Sequence, residues 1–523
     1  MREHPERERN IQSAAPARWP LRASWHHVKT ATVSEPGAAS SMANESSGFS
    51  GISSILSNPI LNTDSYKASH YLQYPPGASA MFSYIESRGG RYDCTLFFGL
   101  QMLIKEYLCR PITAAMIEQA KAFFSAHGEP FNEAGWRHIV EHHNGYLPVR
   151  IRAVPEGSVV PTHNVLVTVE CDDPLVFWLA SYLETMLLRV WYPVTVATQS
   201  WHLRKTIHAY LAKTSDDLTQ LPFKLHDFGA RGVSSAESAA IGGAAHLVSF
   251  MGSDTVLGVV AANHYYNESM AAFSVPAAEH STVTSWGRER ETDAYRNMIA
   301  KFSRPGAIVS VVSDSYDLYA ALKVWGTDLK QAVLDSGGTL VIRPDSGDPQ
   351  SIVLQTLHAL EASFGSVLNT KGRRVLNNVR VIQGDGVNPD SLEAILAAMD
   401  HAGFAADNIV FGMGGALLQQ INRDTQRFAM KCSAIRLGDA WHDVSKDPVT
   451  DTSKRSMKGR LTLLRSRRTG DYRTATLPLA PAVNAAAGEA DWEDAMITVF
   501  DSGKLLVDVS LSEIRARAHA HEA

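Results

Sequence analysis

An imidazole and a carboxylate stand side by side at Glu279-His280, inside the run Ser274-Val275-Pro276-Ala277-Ala278-Glu279-His280-Ser281. Histidine is the side chain whose ordinary pKa lies near neutrality, and a neighbouring carboxylate moves it further. With small residues leaving room for a ligand, the pair could act as a general base. The plainer alternative is a buried structural histidine. What gives the run weight is its company elsewhere in the chain: Arg231, Asp254, Asp314, Arg343, Asp345, Asp385 and Gly415.

Several of these residues sit in turns with their own chemistry. In Arg343-Pro344-Asp345-Ser346-Gly347 the arginine offers a planar fork of donors to a phosphate or an amide carbonyl, and the aspartate can accept from ribose hydroxyls. An internal Arg–Asp pair that only fixes the turn is the alternative. Gly384-Asp385-Gly386 repeats the theme, its glycines letting backbone approach a ligand while Asp385 faces a hydroxyl; a simple turn is equally compatible. Gly412-Met413-Gly414-Gly415, ahead of a helix expected over Leu417 to Asn422, has the form of a phosphate cradle, because free amides at a helix start bind anions. Arg423 adds a cation there, or is a solvated helix-end charge. Asp254 could accept an N–H from a carboxamide and repel a carboxylate, selecting amide over acid. As Ser253-Asp254 before Thr255-Val256-Leu257 it could equally be a helix N-cap. Basic residues between Lys446 and Arg460, Lys454 among them, could close over a polyphosphate or form a solvated run.

Side chains so far apart in sequence need a scaffold that gathers them. The runs Phe223-Lys224-Leu225, Ile308 to Val312, Leu340 to Ile342, Val379 to Ile382 and Ile409 to Phe411 are short and apolar. Each ends in one of the polar turns and leads to a helical stretch. Near-continuous apolar strands imply burial on both faces, as in a parallel sheet. Repetition of strand, turn and helix then indicates a β/α barrel or a doubly wound sheet, with the ligand at the carboxyl ends of the strands. No Rossmann glycine fingerprint opens the series, which favours an irregular barrel. The front portion reads as α+β: helices over Tyr92 to Leu108 and Leu175 to Trp191, strands over Leu147 to Val154 and Val159 to Val169. The expected organisation is an extension over 1–50, an α+β part over 51–195, a barrel over 196–430, and a segment over 431–523 completing the α+β part.

Composition narrows the class of partner. With 523 residues, 45% of them hydrophobic and 20% charged, the chain suits a globular protein of two or three domains. A net charge of −5 gives no general pull toward nucleic acid or anionic membrane, and no apolar run reaches the ~20 residues a bilayer requires. Cys94, Cys109, Cys171 and Cys432 form no CxxC pair, which argues for a reducing cytoplasm and against a disulfide framework or zinc site. The first fifty residues lack apolar periodicity, so disorder is expected there, and Met42 is a candidate translation start.

Thr63-Asp64-Ser65-Tyr66-Lys67, His226 to Gly229, Arg231 to Ser235, Ser274 to Ser281, Val312 to Asp317, Ile342 to Gly347 and Ile382 to Gly386 closely resemble the nicotinamide phosphoribosyltransferases. These belong to the type II phosphoribosyltransferases, with the nicotinate enzymes. The resemblance runs in order from about Asn58 to near the C-terminus. It implies a pentosyltransferase joining nicotinamide to 5-phosphoribosyl-1-diphosphate, giving nicotinamide mononucleotide and diphosphate in NAD salvage. It further implies that Phe228 and Tyr66 sandwich the pyridine ring, Tyr66 coming from the second subunit of a homodimer. By the same resemblance Asp254 accepts the carboxamide N–H, and Ser274 is a substrate-binding position. Arg231, His280 and Arg343 contact a diphosphate that carries Mg²⁺, with no metal ligand from the protein itself. Asp345 and Asp385 address the ribose, Gly384, Gly415 and Arg423 face nucleotide and phosphate, and Lys431, Lys446 and Lys454 match basic positions for phosphate or ATP.

Asp314 is expected behind the metal and His280. His280 is thereby reassigned from general base to diphosphate contact, and is the candidate phosphohistidine in coupled ATP hydrolysis. Ala230 stands where vertebrate relatives have tyrosine, and Met413 and Ala416 depart from the usual glycine-rich turn. The rivals are a nicotinate phosphoribosyltransferase, which should lack the amide-accepting carboxylate, and a non-catalytic scaffold on the same fold.

Overall fold

A computed structural model describes residues 58–450, 455–478 and 491–520. The expectations for 1–50, Met42 and Lys454 therefore fall outside the described residues. All of the described residues belong to one compact unit.

The expected apolar runs do form a parallel sheet. Its six strands lie in the order Gly252–Ser253, Leu225–Asp227, Ile409–Met413, Val379–Gln383, Thr339–Arg343 and Ile308–Val312. Val311, Ile342, Val381 and Phe411 are fully buried, as two-sided coverage requires. The sheet curls until its two edges are joined by one extended segment. At the first edge Phe273 N donates to Met251 O (2.8 Å) and Ser253 N to Phe273 O (3.2 Å). At the other, Ser310 N donates to Pro276 O (3.0 Å) and Ala278 N to Ser310 O (2.9 Å). The segment Phe273 to Ala278 is thus the closing stave of a barrel, which excludes a doubly wound open sheet, and the helix His280–Thr284 follows it.

Three successive units repeat one local design. Asp314, Asp345 and Asp385 each stand two residues beyond a strand end. Three residues after each comes a helix N-cap: Asp317 for Leu318–Gly326, Asp348 for Pro349–Phe364 and Asn388 for Pro389–His401. Each cap side chain accepts from first-turn amides, satisfying donors the helix leaves free. Proline at the first helical position of the last two helices is preset for the turn.

A second apolar core lies beneath a seven-stranded antiparallel sheet. Its order is Ala440–Asp443, Phe428–Leu437, Ala78–Ser87, Val165–Cys171, Arg150–Ala153, Ile497–Asp501 and Lys504–Leu505. Strands from early and late in the chain therefore share one sheet. The stretch 431–523 is divided: Phe428–Leu437, Ala440–Asp443, Ile497–Asp501 and Lys504–Leu505 enter this sheet, Arg460–Ser466, Tyr472–Leu477 and Trp492–Asp494 form a separate three-stranded sheet, and the last helix, Leu511–Ala518, packs Leu511, Ile514 and Ala518 into the barrel core. Two helical expectations are corrected. Tyr92 to Leu108 opens with the strand Cys94–Leu96, and its helix begins only at Leu100 after Gly99, whose φ of 100° breaks the periodicity. Leu175 to Trp191 is helical from Leu179 onward, but as short segments, Leu179–Tyr182, Glu184–Leu187 and the tighter Leu188–Val190, that lead into the long helix Trp191–Thr214. Apolar composition there reflects burial rather than one continuous helix.

Asn388 carries a complete capping box with Ser391. Asn388→Ala should lower stability by about 1 kcal/mol in urea unfolding; no change would show that the turn is held by the barrel alone.

Candidate active site

A cleft of about 650 Å³ opens at the carboxyl ends of the barrel strands. Phe228, Arg231, Asp254, His280, Arg343, Asp345, Gly384, Asp385 and Gly415 all line it. Residues spread over nearly two hundred positions are brought together because each follows a strand of the same barrel.

Phe228 is positioned by absent side chains. A Cβ on Gly412 would come within 2.0 Å of its ring, and one on Gly229 within 2.6 Å of Leu418. Its amide donates to Met413 O at 3.0 Å, and the Arg343 guanidinium lies 5.6 Å from the ring centroid. By contrast a Cβ on Gly415 would meet nothing within 4 Å, so that glycine borders open space. The helix expected after it is a single turn, Gly415–Leu418, and Asn422 caps a separate short turn, Arg423–Thr425. Met413 points into the buried barrel core, so its departure from the family pattern leaves the cleft surface unchanged. Ala230 is exposed on the cleft wall.

Arg343, Asp345, Asp314 and His280 form one network. Arg343 Nε and Nη2 donate to Asp345 Oδ1 at 3.0 and 2.7 Å. The internal pair exists, and both partners also face the cleft, so the two alternatives for this turn coexist. Asp314 is nearly buried and fully engaged: Oδ1 lies 3.2 Å from His280 Nε2, while Oδ2 accepts from Asp345 N (3.0 Å) and Ser346 Oγ (2.5 Å). His280 Nδ1 is 3.9 Å from Asp345 Oδ2, and the ring is half exposed. The carboxylates thus hold the imidazole rather than leaving it buried and inert.

Asp254 is not a helix cap. Thr255 is the N-cap of Val256–Tyr266, and it is Ser253 Oγ that accepts from Thr255 N, at 3.0 Å. The exposed Asp254 carboxylate instead accepts from Ser274 Oγ at 2.5 Å. Ser274 itself lies just outside the cleft lining.

A residue that sequence reasoning passed over is Asp227, immediately before Phe228. It is fully buried; Oδ1 accepts from Gly229 N at 2.7 Å, while Oδ2 sits beside Thr255 without a well-formed hydrogen bond. Burial pushes its carboxyl up to about 6, against the pull of the Gly229 amide. Its position at the last residue of a barrel strand, next to an aromatic cleft residue, was the available signal.

Tyr66, Arg423, Lys431 and Lys446 lie outside the lining of this cleft. Tyr66 is 54% exposed on the short helix Ser65–Leu72. Beside it the buried Lys67 pairs with Glu184 at 2.8 Å, and Lys431, in the strand Phe428–Leu437, is 3.9 Å from the same carboxylate. Burial holds the Lys431 ammonium below its ordinary value, and Arg88, Lys446 and Lys67 add repulsion that Glu184 partly offsets. Tyr66, Lys431 and the charge of Lys446 thus belong to a basic cluster on the antiparallel sheet. Arg423 is exposed and 3.3 Å from Asp424.

Comparison with known proteins agrees with this geometry. In solved structures the fold is shared with nicotinate-nucleotide pyrophosphorylase from Pyrococcus furiosus (TM-score 0.58, 15% identity, 92% of this chain and 97% of that one). It is shared also with human nicotinic acid phosphoribosyltransferase (TM-score 0.52, 17% identity, 88% and 93%). These likenesses define the fold, a β/α barrel joined to an antiparallel sheet. Residues 223–504 match the nicotinate phosphoribosyltransferase family, and residues 58–151 the N-terminal domain of nicotinamide phosphoribosyltransferase. The chain is 61% identical over 467 residues to nicotinamide phosphoribosyltransferase of Xanthomonas campestris, covering 89% of this chain and 99% of that protein. It is 32% identical over 501 residues to the enzyme of that name from Acinetobacter baylyi (88% and 97%). The chain belongs to the nicotinate phosphoribosyltransferase family.

The pKa of Asp227 has a measurable consequence. Its folded value lies above the ordinary 3.8, so the folded state holds the proton more tightly. That contribution is present below about pH 4 and is lost as pH rises to about 6. Asp227→Asn should therefore gain stability relative to the parent across this window, by up to roughly 3 kcal/mol. Urea titrations at a series of pH values read the effect, and a pH-independent difference would refute the raised pKa.

Proposed function

We infer that the protein is a nicotinamide phosphoribosyltransferase of NAD salvage, converting nicotinamide and 5-phosphoribosyl-1-diphosphate to nicotinamide mononucleotide and diphosphate. The observation that carries this reading is the exposed Asp254 carboxylate at the cleft, held by Ser274 and free of any capping duty. A carboxylate there accepts an amide N–H and repels a carboxylate substrate, so it disfavours nicotinate.

The chemistry asks little proton transfer of the protein. The pyridine nitrogen attacks the anomeric carbon as the bond to diphosphate breaks, and no proton is lost from the nucleophile. Rate then comes from positioning and from stabilising charge on the leaving group. In our reading the Phe228 face holds the ring, and Arg231, Arg343 and His280 receive the diphosphate. Asp345 keeps Arg343 aimed, and Asp314 keeps His280 aimed. Asp385, whose side chain is exposed at the cleft, meets ribose hydroxyls, while Gly384 and Gly415 let backbone approach and Arg423 reaches toward phosphate.

The oxygens of Asp314 and Oδ1 of Asp345 are engaged by protein donors. This fits Mg²⁺ arriving on the diphosphate, where it would neutralise charge on the leaving group. His280, half exposed with Asp314 behind it, is placed to accept a phosphoryl group from ATP. The separation of Tyr66 and the Lys431 cluster from their own chain's cleft supports a homodimer in which the partner supplies both. Four unpaired cysteines favour a cytoplasmic setting. Among the described residues no helix is long and apolar enough to cross a membrane.

Turnover of nicotinamide should far exceed that of nicotinate with phosphoribosyl diphosphate and Mg²⁺, and ATP should stimulate it. Preference for nicotinate, or no mononucleotide from either base, would overturn the assignment. Asp254→Ser should cut the selectivity by roughly tenfold or more, about 1.4 kcal/mol, with little loss of stability. Unchanged selectivity would remove Asp254 from recognition. The dimer is tested by mixing two variants expected to be inactive, Tyr66→Ala and Arg343→Ala. A shared site restores up to ~25% of parental activity, since half of randomly mixed dimers carry one intact site. No recovery after verified subunit exchange would place both residues in one chain's site.

A further inference from the structure

Away from the cleft, the helix Glu133–His142 ends against the loop that follows the strand Val165–Cys171. His138, from the middle of that helix, and His143, its C-cap, turn toward the same atom. Their Nε2 atoms lie 2.9 and 2.7 Å from Asp173 Oδ2. Asp173 is itself fixed, because Oδ1 accepts from Leu175 N at 2.8 Å. All three side chains are largely shielded, at 17%, 28% and 16% exposure. One imidazole would suffice to hold the loop. Two converging on one oxygen, with donor atoms within 4.8 Å of one another, form a preassembled ligand set.

The chemistry of that set is specific. Two imidazole nitrogens and one carboxylate oxygen suit a borderline divalent ion, zinc above all, in preference to Mg²⁺ or Ca²⁺. Tetrahedral zinc places its ligand atoms about 3.3 Å apart, so the rings need to move outward only slightly, replacing two N–H···O contacts. His143 and Asp173 also border a cavity of about 290 Å³, where water can reach the remaining position. The other His/Cys/Asp group among the described residues, Asp93, Cys94 and His202, is less suited. There the Tyr92 ring stacks on His202 at 4.4 Å, and burial pushes the Cys94 thiol up to about 12.

We propose that His138, His143 and Asp173 form a structural site for one zinc-class divalent ion, with water completing the coordination. The ion would clasp the helix Glu133–His142, whose Trp136 and Ile139 enter the second apolar core, to the loop beginning the Leu175–Tyr182 turns. None of the three residues lines the cleft, so the site is independent of the transfer reaction.

Chelator-treated full-length protein titrated with Co²⁺ should bind one ion per chain and develop visible d–d absorption. Zn²⁺ should displace that ion and raise the melting temperature. His138→Gln/His143→Gln should abolish the band and the thermal shift while keeping nicotinamide turnover. A parent without the band, or a double variant that retains it, overturns the proposal. Should the variant fail to fold, anomalous diffraction at the zinc edge from parental crystals decides. A peak between the two Nε2 atoms supports the site, and none there refutes it.

Discussion

The barrel can close only because one extended segment hydrogen-bonds to both edges of its sheet. Phe273 to Ala278 pairs with Met251 and Ser253 on one side and with Ser310 on the other. Without it six short strands would leave two free edges and no fixed mouth. The same segment delivers Ser274 to Asp254 and, a few residues on, His280 to Asp314. The proposed recognition of the base at Asp254 and of the diphosphate at His280 would therefore be coupled through one stave.

Closure also explains the spacing of charge around the mouth. Three of the strand ends launch a carboxylate, Asp314, Asp345 and Asp385, and the helix behind each begins three residues later with its own cap. Because the caps satisfy the first-turn amides, Asp314 and Asp345 are free to organise His280 and Arg343 instead. Glycines do the complementary work: Gly412 leaves the space that the Phe228 ring fills. The charged residues of the cleft are hydrogen-bonded to one another, whereas Gly415 borders open space.

Much of this was legible in the chain itself. The apolar runs are short and β-branched, and each is punctuated by a polar turn, which dictates buried parallel strands and puts Arg343, Asp345 and Asp385 at their ends. Local pattern failed where burial overrode periodicity. Leu175 to Trp191 is mostly apolar and buried, yet it forms short helical segments rather than one continuous helix. Lys224 looks like a surface charge in the sequence. It is wholly buried, donating to the carbonyls of Ala406, Asp407 and Ile409, and burial lowers its pKa to about 7.

Sequence alone determined the strand–turn–helix rhythm, the residue types at the turns and the family they resemble, because those depend on local chemistry and spacing. Only the tertiary structure decided between cap and cleft for Asp254, revealed the buried Asp227, and divided the recognition residues between the cleft and a separate basic cluster. Those outcomes depend on which distant segments meet. A hydrogen bond such as Ser274 to Asp254, or two histidines on Asp173, leaves no periodic trace in the chain that makes it.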